Sequence, residues 1–179
     1  MKLSWLVAVP LLICTGSALG ARRQSRTVKP LSVVEQNMLR AIAQKVKQAI
    51  LDADVEGLLG HISKTSGLTC TDTNYSYGEV RAFLHDKRSH LYMSLFDSAE
   101  FARRCGSDYS SEYPAIADND FLRTANQSVT IARLDNDWAQ VTFTTPIKNH
   151  YPREWYFHRE AGTWRVASGS FIIGSCSCG

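Results

Sequence analysis

The chain has 179 residues, with 20 Lys and Arg against 17 Asp and Glu and a net charge of +3 when His is neutral. A balance this close carries no charge signature of a nucleic-acid binder. Beyond the first twenty residues no run approaches the length of a membrane span, and the remaining body, about 150 residues, suffices for one domain with its own core.

Residues 1–20 read as a secretory signal peptide. Lys2 supplies the positive start, Leu3 to Cys14 an apolar stretch broken by Pro10, and Ala18-Leu19-Gly20 a small-x-small cleavage site before Ala21. A lipoprotein reading centred on Cys14 is weaker, because Ile13 is bulky where lipid attachment wants a small residue. The expectation is export, to the extracellular space or a periplasm. Cleavage removes one lysine and no acid, leaving 19 basic and 17 acidic side chains. Residues 21–31 then form a basic flexible leader, with Arg22, Arg23, Arg26 and Lys29, read as solvated rather than as a heparin or membrane patch.

The mature chain keeps Cys70, Cys105, Cys176 and Cys178. An even count in an exported protein argues for disulfides, and sequence does not separate the pairings. A ring within Cys176-Ser177-Cys178 would be strained, which favours each tail cysteine reaching back to Cys70 or Cys105; the alternative joins Cys70 to Cys105. A zinc site and a thiol redox centre are weaker readings, since there is no C-x-x-C spacing and nothing nearby to depress a thiol pKa. Residues 32–174 are the single domain, and 175–179 a cysteine-containing tail.

In chain order, Ser32 and Glu35 make a capping box. Val34, Met38, Ile42, Val46 and Ile50 follow at four-residue spacing, which predicts a long first helix with those residues inward. Asp54 predicts a cap for a second helix from Val55 to about Ile62. Ser63 to Asn74 reads as a loop. Ser76 and Glu79 form another capping box, opening a helix through Val80, Phe83 and Leu84, and His90 to Phe101 continues in helical period, so the two stretches make one broken third helix. Gly106 to Asp120, rich in Ser, Asp, Tyr and Pro, reads as irregular. Strands are predicted at Ser128–Arg133, Trp138–Thr144, Arg153–Arg159 and Thr163–Phe171, with Glu160-Ala161-Gly162 turning the last hairpin and the loop from Pro146 to Pro152 carrying His150 and Tyr151. Helices followed by strands imply an α+β fold, with the N-terminal helices packed on a curved antiparallel sheet.

A long first helix, the Asp54 to Leu59 stretch, a third helix and a closing hairpin with Trp164-Arg165-Val166 together resemble the nuclear-transport-factor-2-like superfamily, a cystatin-like cone. The resemblance covers most of residues 33 to 173. It implies an apolar pocket between sheet and helices, placed here among Tyr92, Phe96, Trp138, Trp155 and Trp164. It also implies an isomerase, dehydratase or cyclase, or a binding or interaction surface, and an open sheet face that mediates dimers.

A proton-transfer site needs a carboxylate or His as base and a donor for the developing oxyanion. The candidates are His61, Tyr92, Asp97, Asp118, Asp120, Glu154, Tyr156 and His158. Each has a structural explanation. His61 falls where a helix end favours a cation, Asp97 beside Ser98 can cap a helix, and Glu154, Tyr156 and His158 share the strand face opposite Trp155 and Phe157, hence solvent. Trp138, Trp155 and Trp164 read as packing residues. No G-x-S-x-G, glycine-rich phosphate loop or H-E-x-x-H occurs, His85, Asp86 and His90 lack a third ligand, and no cofactor or metal is expected. Asn74 and Asn126 head N-x-Ser triplets. The reading is a non-catalytic module binding a small apolar ligand or a protein partner. The alternative is an isomerase or dehydratase with His158, Asp97, Asp118 or Asp120 as base and Tyr92 or Tyr156 as donor, and a homodimer is a third expectation.

Overall fold

A computed structural model of the chain describes residues 29–70, 73–105, 118–147 and 152–169. The segment expected to be a signal peptide, most of the expected basic leader, the side chains of Cys70 and Cys105, the tail with Cys176 and Cys178, and His150 and Tyr151 lie outside the described residues.

Helix α1 spans Val33–Leu51, and its start is the expected reciprocal cap: the Ser32 hydroxyl accepts from the Glu35 amide while the Glu35 carboxylate accepts from Ser32. Its buried face is Leu39, Ala43, Val46, Ala49 and Ile50. The stripe predicted to be inward is inward only at its far end, for Val34 and Met38 remain 68% and 42% exposed. A spacing of four overshoots the 3.6-residue turn by about 40° each step, so five such positions sweep about 160° from solvent into the core.

Helix α2 covers Val55–Leu59, with Asp54 accepting from the Gly57 amide at 2.8 Å. It stops short of Ile62 because the backbone there pairs with a strand instead. The Ser63 amide donates to the Val166 carbonyl at 2.7 Å and the Val166 amide to the His61 carbonyl at 2.9 Å. The expected loop that follows holds two short strands, β1 (Leu68–Cys70) and β2 (Thr73–Tyr75). Three-residue strands are below the length at which alternation can be read from sequence.

Ser76 and Glu79 cap α3 (Tyr77–His85) as predicted. The rest of the third helix is two pieces, α4 (His90–Phe96) and α5 (Ser98–Cys105). Asp97 breaks them apart, closing α4 and accepting from the Glu100 amide at 3.0 Å to open α5. A sixth helix, α6 (Asp118–Arg123), starts inside the segment read as irregular, so Asp118 and Asp120 belong to a helix. Its six residues are too few for a period to declare itself.

Strands β3 (Ser128–Arg133), β4 (Trp138–Thr144), β5 (Arg153–Glu160) and β6 (Thr163–Gly169) complete one sheet in the order β2-β1-β6-β5-β4-β3. The sheet is mixed rather than antiparallel throughout, because β1 meets β6 in parallel at Thr69 and Ser168. Ala161 and Gly162, both with positive φ (46° and 81°), form the two-residue turn of the last hairpin. Tyr156 faces Ser168 while Phe157 faces Val166, so Ala167 is an extra residue that bends the strand. The helix-facing side carries Val129, Ile131, Val141, Phe143, Trp155, Phe157, Trp164 and Val166 against Leu39, Ile50, Leu59 and Leu84. The fold is α+β, helices on one face of a bent sheet.

Candidate functional site

Among the described residues, large apolar side chains pack into the space between sheet and helices. Trp155 and Trp164 are 2% and 1% exposed, and Phe143 packs on Trp155 at 4.6 Å between ring centres. Among the described residues, the void bounded by Leu58, Ile62, Leu68, Leu84, Leu91, Leu95 and Val166 measures about 10 Å³ and has no polar lining, room for one water at most and no reason for it to enter. The five residues expected around a ligand pocket do not converge on it. Trp155 and Trp164 are core, Tyr92 and Phe96 meet edge-to-face at 5.1 Å along α4, and Trp138 lies on the outer face beside His158 at 4.7 Å.

The outer face of the sheet holds Glu154, Tyr156 and His158 together, as the alternation predicted, with Trp155 and Phe157 turned inward. They are half-buried rather than free in solvent. The Tyr156 hydroxyl donates to Glu154 at 2.7 Å, and this bond, with partial burial, raises the phenol pKa above its usual value. His158 Nδ1 lies 3.5 Å from Ser66 Oγ and 3.8 Å from Glu160. Burial pushes the Glu160 carboxyl upward, but the Ser63 and Thr65 hydroxyls and the Lys64 and Thr65 amides donate to it and outweigh that, bringing its pKa to about 2. Glu160 thus ties residues 63–65 to the hairpin. Beside it runs an open groove of about 490 Å³ walled by Lys64, His158, Arg159 and Arg165.

Other candidates are dispersed. His61 is half-buried past the end of α2, and burial, then Lys45 and Arg165, lowers its pKa, the reverse of what a cation held at a helix end would show. Tyr92 is on the helix side of the sheet and Asp120 is exposed. Asp118 is 2% exposed and accepts from Arg153 Nε at 2.8 Å, with that guanidinium 5.0 Å above the Phe121 ring. Among the described residues no base and donor meet inside a cavity. A surface cleft of about 320 Å³ between β2 and the α3–α4 junction is lined by Tyr75, Phe83, Asp86, Arg88, Ser89, His90 and Leu91.

One cluster was missed by the sequence reading. Glu35 Oε1 accepts from Arg133 Nη2 at 2.7 Å and lies 3.6 Å from Arg159 Nη1, while its Oε2 accepts from the Ser32 amide and hydroxyl, each at 2.9 Å. The Ser32 bonds first, and the two arginines after them, lower the Glu35 pKa. A signal existed in the alternation: Arg133 continues the inward stripe of Val129 and Ile131, and Arg159 that of Trp155 and Phe157. A charge on an apolar stripe needs a partner.

No family model and no curated protein matches the chain. Among solved structures it is similar to a protein of unknown function with a cystatin-like fold from Nostoc punctiforme, at 11% identity over 79% of this chain and 92% of that one, with a TM-score of 0.42. It is similar also to an NTF2-like protein of unknown function from Shewanella oneidensis, at 11% identity over 75% and 95% with a TM-score of 0.40, and to one from Pseudomonas putida, at 12% over 78% and 86% with a TM-score of 0.42. Their descriptions name the same fold as the resemblance in the sequence, and nothing about activity follows from them.

Proposed function

We propose that this chain is an exported, non-catalytic protein-interaction domain. The observation that carries the reading is the division of its chemistry. Among the described residues, packed apolar side chains occupy the layer between helices and sheet, and the void there measures about 10 Å³, too small for a ligand, while the polar and charged clusters lie on the outer face and at the ends of the strands. A domain that recognises a small molecule encloses most of it in a cavity of about 300–1,000 Å³. Native mass spectrometry of the purified full chain tests this. The expected spectrum contains the chain alone or bound to protein, and a retained small molecule would redirect the assignment to ligand binding.

A second reading, proton transfer, draws on the Tyr156–Glu154 bond of 2.7 Å beside His158. Against it, the raised Tyr156 pKa makes the phenol a poorer acid, and the trio faces outward. Export is tested by N-terminal sequencing of secreted material, which should begin at Ala21. The cysteines bear on the same point: mass spectrometry with and without reductant should find them paired, and four free thiols would count against export.

A further inference from the structure

We infer that β3, the long free edge of the sheet, pairs with β3 of a second copy of this chain in an antiparallel two-fold ladder centred on Ile131. This deepens the interaction-domain reading and rests on it, and it places the contact at the edge of the sheet rather than on its open face. The phase of the β3–β4 ladder decides which groups face that edge. The Leu134 amide donates to the Trp138 carbonyl at 2.9 Å, at the end of a register that runs without a shift from Ser128 opposite Thr144 to Arg133 opposite Ala139. Bonded and non-bonded pairs alternate in an antiparallel ladder, so Ser128, Thr130 and Ala132 turn their backbone groups to β4, while Val129, Ile131 and Arg133 turn theirs to the open edge. Among the described residues no strand lies beyond β3, and no backbone bond from elsewhere reaches Val129 or Ile131.

Sheets guard such an edge with a short strand, Pro, Lys, a bulge or a covering segment. The opposite edge, β2, is three residues long. β3 has six, Ser128-Val129-Thr130-Ile131-Ala132-Arg133, with no Pro, Lys or bulge. Its one charge, Arg133, is held by Glu35 at 2.7 Å. Helix α1 ties both ends of the strand, through that bond and through Lys47, which donates to Gln127 at 2.7 Å, and it packs against both β3 and β4. The outer-face side chains Ser128, Thr130 and Ala132 are small and exposed, so another backbone can approach. On the inner row Val129 and Ile131 are only half-buried, whereas Val141 and Phe143 beside them on β4 are fully buried. One further strand would complete that row.

Symmetry selects a second copy as the occupant. A two-fold axis through Ile131 sets Ile131 against its equivalent and Val129 against Arg133, so every outward residue exchanges its bonds and the half-buried apolar row continues across the join. The same register brings residue 135 of one copy beside residue 127 of the other. At the end of β3 the acids Glu35, Asp135 and Asp137 outnumber Arg133 and Arg159. At its start Lys47 is held by the neutral Gln127 amide, while Asp120 and Arg123 of α6 offset each other. Antiparallel pairing therefore sets a negative end against a positive one, twice. Arg40, between the two ties on α1, is exposed and long enough to turn into solvent. A ladder of this length is at the small end of specific interfaces, so the dimer should be weak and concentration-dependent.

Sedimentation of the full chain at low and high concentration, with amide hydrogen exchange followed by NMR at both, tests this. The chain should be monomeric when dilute and dimeric when concentrated, and the Val129, Ile131 and Arg133 amides should become protected only in the dimer. Thr130→Lys/Ala132→Lys sets lysines against one another across the axis and should weaken the dimer at least about tenfold. Thr130→Lys/Ala132→Glu sets each lysine against a glutamate in the same register and should keep it. Both positions are exposed, and circular dichroism melts verify that the variants fold. A monomer at every concentration, a dimer whose edge amides exchange freely, protection of those amides in the dilute monomer by another segment of this chain, or equal dimerisation of the two variants would each overturn the proposal. A monomer would leave the interaction-domain reading in place with a different protein as partner, whereas a retained small molecule would remove that reading.

Discussion

The inward stripe of β5 begins and ends with arginine, and the two ends are handled differently. At one, Arg153 donates to Asp118 in a pair whose side chains are 14% and 3% exposed. At the other, Arg159 and Arg133 converge on Glu35 where Arg159 stays 39% exposed. Both carboxylates come from the start of a helix, which closes the sheet against the helical layer. The difference is one of depth. Each end leaves one buried polar atom unmatched among the described residues, the Asn119 Oδ1 acceptor next to Asp118 and the Arg133 Nε–H donor next to Glu35, but the Asp118 pair is the more deeply buried. A buried pair is worth little over its apolar replacement but costs much when half of it is removed.

The largest effect should come from breaking the more deeply buried pair, Asp118 and Arg153. Asp118→Ala leaves the Arg153 charge in a buried setting and should cost about 3–5 kcal/mol of stability, read from urea unfolding; a loss below about 1 kcal/mol would show that the pair is solvated. Glu160→Gln probes a third closure, between residues 63–65 and the hairpin. Because the folded pKa of Glu160 is about 2 against 4.5 ordinarily, the unfolded chain binds the proton first. Its stabilisation is therefore complete above the unfolded value and is lost as pH falls from about 4.5 towards 2. The expected contribution is about 2 kcal/mol, and Glu160→Gln should remove that part of the acid sensitivity; an unchanged pH profile of unfolding would rule it out.

Smaller effects separate the two ends further. Ser32→Ala deletes the hydroxyl of the α1 cap and should cost about 1 kcal/mol, measured by thermal unfolding. Smallest of all, Val34→Ser and Met38→Ser should change stability by no more than about 0.5 kcal/mol. Core positions would lose several times that, so unfolding of these variants distinguishes the exposed flank found here from the inward stripe that the spacing predicts.

The legible parts of this chain were those governed by neighbours in sequence. The two capping boxes, the Asp54 cap, the four long strands and the separation of Trp155 and Phe157 from Glu154, Tyr156 and His158 all follow from side-chain period and from hydrogen bonds spanning three residues. The short elements β1, β2 and α6 were not legible, because they are held by pairing and packing rather than by a pattern of their own. Among the candidate residues, Glu154, Tyr156 and His158 share the face opposite Trp155 and Phe157 as the alternation predicts but are half-buried rather than in solvent, and the proposed pocket residues are not brought together. Aromatic character identifies side chains that bury area, and only packing decides whether they enclose a space or fill it.

What the sequence by itself determined, then, is the inventory of elements and the face each long strand presents, since these depend on local backbone period. Tertiary structure alone decided that α1 buries Leu39 and Ala43 rather than Val34 and Met38, and that Glu35 meets Arg133 from 98 positions away. The physical reason is that a helix with apolar residues around much of its circumference takes its inward direction from what it packs against. Likewise, a charge at the end of an apolar stripe states that it needs a partner without saying which.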